Sequence, residues 1–233
     1  MISQKQSQIK DSILQGNLIK LMFKLSISSI MGIFVLTLNT VIDALFAGRY
    51  IGETALAGIS LALPYVTIVQ GFADFVGIGS ASVLSRAIGS EDAKTQSKIF
   101  GNLVVISVVI SFLLTVIGYG FGKELITLMG GSGEVALEGT KYLKVYTIGS
   151  IFIILGKACG KLISAEGQIR WTTISMWIFV TVNIFLNYIF VAVYDWGTAE
   201  LALATVIGMT VASMINLAYF IFGKSFIPVS LKK

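Results

Sequence analysis

Long apolar runs set the plan of this chain. Residues 25–48 carry Asp43 as their one formal charge, a turn follows at Gly48-Arg49-Tyr50-Ile51-Gly52, and a second apolar run starts at 54. A helix over 25–48 would be about 36 Å long at about 1.5 Å per residue, enough to cross a bilayer with some tilt. The same length criterion predicts six spans, at about 25–48, 54–84, 99–121, 142–165, 171–194 and 199–222. The fourth is the least apolar, because Lys144, Lys157 and Lys161 leave only 145–156 uncharged. Short connections make neighbouring helices antiparallel. Ser90-Glu91-Asp92 reads as an N-cap with acids in the first turn of the third helix, and 122–141, with Gly130-Gly131-Ser132-Gly133, reads as the longest connection.

Composition agrees with this plan. Fifty-five per cent hydrophobic residues, 12% charged residues, a mean hydropathy of +0.88 and two prolines describe a polytopic helical membrane protein. The absence of His and the lone Cys159 exclude His/Cys metal sites and a disulfide within the chain. Charge then sets the orientation. With the N-terminus inside, Lys5, Lys10, Lys20, Lys24, Arg86, Lys94, Lys98, Lys161, Arg170, Lys224, Lys232 and Lys233 fall on the cytoplasmic side, against Arg49, Lys123, Lys141 and Lys144 outside. This bias predicts both termini in the cytoplasm, explains the basic pI near 9.3 and makes nucleic-acid binding unnecessary. Three segments follow: a cytoplasmic N-terminal segment over 1–24, a six-helix transmembrane lobe over 25–223, and a basic cytoplasmic tail over 224–233. Residues 1–24 lead into a span too long for a signal peptide. Tyr50, Tyr194 and Trp196 fall at the outer interface and Trp171 at the inner one.

Asp43 is the first candidate for function, since a carboxylate within lipid depth is costly and must face protein or water. It lies about six residues, roughly 9 Å, below the outer end of its span. On the fifth span Asn187 and Asn183 share one helix face at a similar depth, and Thr205 descends to it on the sixth. A carboxylate, two amides and a hydroxyl offer hard oxygen ligands, suited to a small cation or a proton relay. Asp74 lies roughly 15 to 20 Å away in depth, too far to pair with Asp43, and stands as a secondary candidate with a structural or a functional role. Gly77-Ile78-Gly79-Ser80-Ala81-Ser82 reads as a surface for close helix packing, not a nucleotide loop. No constellation for catalysis is present, so a membrane enzyme is disfavoured.

Five stretches carry a resemblance: VIDALFAGRYIGETALAGISLALP, GIGSASVLSRAIGSEDAK, SAEGQIRWTTISM, NIFLNYIFV and LALATVIG. In this order, across about residues 20–223, they resemble the amino-terminal six-helix lobe of the MATE family, the multidrug and toxic compound extrusion transporters. The resemblance implies a cation-coupled antiporter, driven by sodium or protons, that exports organic and often cationic amphiphiles by alternating access between two lobes. It needs no cofactor beyond the coupling ion. Family positions for the ion fall on Asp43, Asn183, Asn187 and Thr205, the four residues that the depth count selects independently. Two details depart from the family pattern: Ser28 stands where the first helix often has a proline, and Asn187 stands where some members have a second acid. The chain ends at SFIPVSLKK, where an inter-lobe linker would begin. The expectation is therefore a half-transporter in the cell membrane, in contact with the lipid bilayer and small organic cations, and completed by a second six-helix lobe, either a separate chain or a second copy. The alternative is a non-transporting, truncated or accessory membrane module that assembles with other chains.

Overall fold

The computed structural model describes residues 30, 34, 35, 37–222 and 225. The expectations for 1–24, Ser28 and the tail beyond 225 lie outside them. The elements are α1, helical over 37–46 and continuing as a π-helical turn over Ala47–Ile51; α2, Glu53–Gly89; α3, Ala93–Gly120; α4, Gly122–Leu128; α5, Gly133–Ile148; α6, Ser150–Ala165; α7, Ile169–Asn187, running on as a second π-helical segment over Tyr188–Val193; and α8, Thr198–Ile221. Among the described residues there is no strand. Among the described residues four helices, α2, α3, α7 with its extension, and α8, are each long and apolar enough to cross a membrane, and the bent pair α5–α6 passes the same test when taken as one span. The bundle is an all-α integral membrane fold. Turns at Gly52 and at 194–197 mark one end, and Ser90 and Gly167 the other.

Lipid and protein divide the apolar side chains. Phe75, Val105, Phe112, Leu113 and Ile174 point outward, as a bilayer-facing surface requires, because lipid tails solvate them as well as a core would. The interior is built instead on close approach. Gly58 of α2 lies against the backbone of α5, where an added Cβ would fall 2.6 Å from Gly139 N and 2.8 Å from Val135 O. Gly77 likewise meets Ala158 and the Lys161 stem on α6, so the small-residue surface expected around it is partly consumed inside the lobe. Gly79 remains open, with nothing within 4 Å of its added Cβ.

Three local departures from the sequence reading have clear causes. First, Asp92, not Ser90, caps α3: its Oδ1 accepts from Thr95 N at 3.0 Å, and the Thr95 hydroxyl bonds Oδ2. These bonds, led by the Thr95 side chain, hold the exposed Asp92 carboxyl below the usual carboxylate range. Ser90 instead ends α2, donating to Arg86 O. Second, residues 122–141 are mostly helical rather than an open connection, forming α4 and the first half of α5 with only a short turn over 129–132 between them. Third, the fourth span bends by 54° between α5 and α6. The bend sits at Gly149, whose added Cβ would meet Val206 of α8 at 2.3 Å, so α8 crosses where the chain has no side chain.

Each lysine in that fourth span has a partner, although Lys157 and Lys161 share one carboxylate. Lys144 Nζ lies 5.4 Å from the Tyr119 ring centroid, a cation–π contact, while Lys157 and Lys161 turn toward Asp74. At the Ser90 end, buried Glu166 accepts from Tyr219 Oη at 2.6 Å and Ser225 Oγ at 2.5 Å, tying the segment after α8 to the α6–α7 turn at Gly167. At the other end, Thr198 Oγ1 donates to Glu138 Oε2 at 2.6 Å and Gly197 N to Glu200 Oε2 at 3.1 Å, which joins α5 to the start of α8.

Gly58→Ala should therefore destabilise the purified chain by about 1–3 kcal/mol, because the clash is with backbone that cannot rotate away. Gly79→Ala is the control and should be neutral or slightly stabilising. Detergent-solubilised thermal unfolding measures both, and equal stability of the two variants would contradict the α2–α5 contact.

Candidate functional site

Three helices meet at Asp43. It lies on α1 one turn before the π-helical turn; Asn183 and Asn187 lie on the last turns of α7, immediately before the second π segment; and Thr205 lies on the second turn of α8. All four are buried. The side chains form one network. Asn187 Nδ2 donates to Asp43 Oδ1 at 2.6 Å and to Asn183 Oδ1 at 3.1 Å, using both of its amide hydrogens. Asn183 Nδ2 donates to Thr205 Oγ1 at 3.1 Å. The Thr205 hydroxyl, with one proton, is 3.3 Å from Asp43 Oδ2 and 3.4 Å from Leu201 O.

Sequence reasoning missed a fifth member. Asn39 sits one turn before Asp43 on α1 and donates from Nδ2 to Asp43 Oδ2 at 3.1 Å. The signal was present in LNTVID, since i and i+4 share a helix face. The carboxylate thus receives donors from α1, α7 and α8, as an ionised group withdrawn from water requires. Two acceptors beside it remain unfilled, Asn39 Oδ1 and Asn187 Oδ1, both buried without a hydrogen-bond partner. The carboxylate accepts up to three hydrogen bonds, and the site keeps two amide oxygens in reserve.

Both π segments begin where the polar network ends, and they touch one another. A π turn widens the helix and releases the regular i→i−4 pattern, and such turns concentrate at functional sites. Gly52, with φ 121°, then closes the first segment by donating its N–H to Ala47 O at 2.9 Å.

Asp74, the secondary candidate, does not join this network. Its partners are Lys157, at 3.2 Å from Oδ2, and Lys161, at 3.6 Å from Oδ1. The spacing of the two lysines, one turn apart on α6, was the available signal, yet only the parallel apposition of α2 and α6 brings the carboxylate between them.

The fold defines a class: an all-α, multi-pass integral membrane protein with a hydrogen-bonded carboxylate buried where three helices meet. Residues 28–189 match the MatE family model, and the chain belongs to that family. It is similar to the multidrug export protein MepA of Staphylococcus saprophyticus, with 29% identity over 229 residues that cover 95% of this chain and 48% of MepA. MepA of Staphylococcus aureus is 23% identical over 213 residues, covering 91% of this chain and 47% of the relative. Among solved structures, the outward-facing conformation of a multidrug resistance MATE family transporter of the MOP superfamily superimposes with a TM-score of 0.86 at 25% identity, covering 94% of this chain and 49% of that one. A MATE structure in the bent conformation aligns equally well, with a TM-score of 0.86, 25% identity and the same coverage. The chain spans about half the length of the relatives it matches.

The network makes a stability prediction. Asn187→Ala removes the 2.6 Å donor from a buried carboxylate and should cost about 2–3 kcal/mol. In an Asp43→Asn background the same substitution should cost less, since the charge is gone. A double-mutant cycle read by thermal unfolding tests this, and additivity within about 0.5 kcal/mol would show that the two side chains are not coupled.

Proposed function

We propose that this chain is the amino-terminal lobe of a cation-coupled antiporter that exports organic compounds by alternating access, with Asp43, Asn39, Asn183, Asn187 and Thr205 as the coupling-ion site. The observation that carries this reading is the Asp43 carboxylate held by side chains of three helices beside two unfilled amide oxygens. Binding a proton turns one carboxylate oxygen into a donor, which cannot face the N–H groups of Asn39 or Asn187. Binding sodium imposes the same demand, because the ion needs oxygens where the network now presents N–H groups. Either event breaks contacts between α1, α7 and α8, and turning the two amides brings Asn39 Oδ1 and Asn187 Oδ1 to the ion. The π segments next to Asp43 and Asn187 are the places where a helix can change its winding at small cost.

A ligand shifts a conformational equilibrium only through its different affinity for the two states. Here that difference is the repacking of α1 against α7 and α8. The relatives are about twice this length, which supports a second six-helix lobe, supplied by another chain or a second copy, facing this one across an axis normal to the membrane. Both termini lie in the cytoplasm in this reading, as the basic residues indicate, so the Gly52 end faces outward.

In a transport-competent assembly, Asp43→Asn should abolish ion-driven efflux and leave membrane insertion unchanged. Wild-type coupling in this variant would refute the ion-site assignment. Asn187→Ala should weaken sodium dependence more than proton dependence if sodium is the coupling ion, which efflux assays at fixed proton gradient and varied sodium resolve. Reporter fusions at Lys233 and near Gly131 should report opposite compartments; the same compartment for both would remove one span from the lobe.

A further inference from the structure

Between α2, α6, α7 and α8, on the Ser90 side of the Asp43 network, lies a cavity of about 440 Å³, a size typical of small-molecule sites. Phe179 and Met209 line it. Each is four residues, about 6 Å along its helix, from Asn183 and Thr205 respectively. Both pack in one apolar cluster with Val35, Val180 and Ala212, the last of which also lines the cavity. The cavity lining thus begins one helical turn from the site described above, and it contains none of that site's residues.

Its charge is unbalanced. Among the described residues, Lys157, Lys161 and Asp74 are the charged side chains in the lining, so two ammonium groups face one carboxylate. Asp74 Oδ2 accepts from Lys157 at 3.2 Å, whereas Lys161 Nζ stands 3.6 Å from Oδ1, beyond a hydrogen bond. The Lys161 side chain is 46% exposed against 13% for Lys157. Neighbouring hydroxyls leave that excess charge in place. Ser164, Thr172 and Thr173 donate to backbone carbonyls of their own helices, so they present lone pairs that can hold a donor but carry no charge. Asn216 gives its amide N–H to Gly156 O at 3.0 Å and keeps Oδ1 buried and unfilled. Among the described residues, one carboxylate stands against two ammonium groups in this cavity.

We propose that the cavity is a subsite for the anionic group of an amphiphilic molecule: a carboxylate or phosphate meets Lys161, with Lys157 behind it, and the apolar body lies against Ile78, Met176, Phe179 and Met209. A charged acceptor in a low-dielectric site gains more from an ammonium group than a neutral one does. A simple organic cation would meet a net positive wall. The subsite thus selects, among compounds that reach this lobe, those that carry an anionic group, which narrows the organic-cation expectation of the sequence. That this selection acts on exported compounds rests on the transport reading; the binding itself does not.

The test is equilibrium binding to the purified full chain in phosphatidylcholine nanodiscs, using three probes of one shape: 2-naphthoate, its methyl ester and 2-naphthyltrimethylammonium. Naphthoate should bind about tenfold more tightly than the ester and more tightly than the ammonium probe. Lys161→Gln should weaken naphthoate about tenfold and leave the ester unchanged, Lys161→Arg should retain binding, and Asp74→Asn, which uncovers both ammonium groups, should tighten it. Replacing the lipid with phosphatidylglycerol separates the sources of the anion. Competition with naphthoate that disappears in Lys161→Gln identifies a lipid headgroup as occupant, and undiminished binding identifies a soluble anion; both support the subsite. Equal affinity for naphthoate and ester, preference for the ammonium probe, or wild-type affinity in a Lys161→Gln chain with unchanged circular dichroism would overturn it. Because the readout is binding and not export, loss of coupling in Asp43→Asn leaves this result untouched, and absence of naphthoate binding leaves the ion site untouched.

Discussion

A carboxylate that cannot reach water must find its hydrogen-bond donors inside the bundle, and for Asp43 those donors come from three helices. The consequence is geometric. Asn187 at 2.6 Å, Asn39 at 3.1 Å and Thr205 at 3.3 Å can all reach it only if α1, α7 and α8 hold one relative rotation and depth. Apolar contacts in lipid do not set that register, since a sliding helix exchanges one set of lipid or side-chain contacts for another of similar energy. The polar network therefore specifies the arrangement of these helices as well as supplying the chemistry of the site.

Close backbone approach does the corresponding work for the rest of the bundle. Gly58 against α5 and Gly149 against Val206 let the helices come nearer than ordinary side chains allow, which replaces the hydrophobic drive that a soluble core would have. The bend at Gly149 has a second effect. It gives α5 and α6 different directions, so α6 can carry Lys157 and Lys161 toward α2 while α5 runs toward the Glu138–Thr198 contact at the opposite end. Two charge-bearing clusters, one around Asp43 and one in which Lys157 and Lys161 share Asp74, thus lie about one helical turn or more apart in the same bundle.

Much of this was legible in advance, and the reason is physical. Membrane spans are set by length and apolarity, quantities that a linear sequence displays directly, and residues at equal depth on different spans can be counted from the turns that join them. That is why Asp43, Asn183, Asn187 and Thr205 could be selected before any contact was known. Their ion-binding role is a proposal drawn from this arrangement. Helix ends were less legible. Ser90 and Asp92 are both competent caps, and the choice fell to Asp92 because its side chain reaches Thr95 while the Ser90 hydroxyl is spent on Arg86 O.

What the sequence determined by itself was therefore membrane insertion, the number and order of the apolar runs, and the depth of each polar side chain, because the bilayer acts on the chain as a one-dimensional filter. What only the tertiary structure decided was rotation and lateral neighbourhood: that Asn39 joins Asp43, that Asp74 lies between Lys157 and Lys161, that Gly58 and Gly149 face other helices while Gly79 faces open space. Depth is a property of one helix in one medium. Azimuth is a property of pairs of helices, and it is settled only when buried donors find acceptors and glycines find backbones on their neighbours.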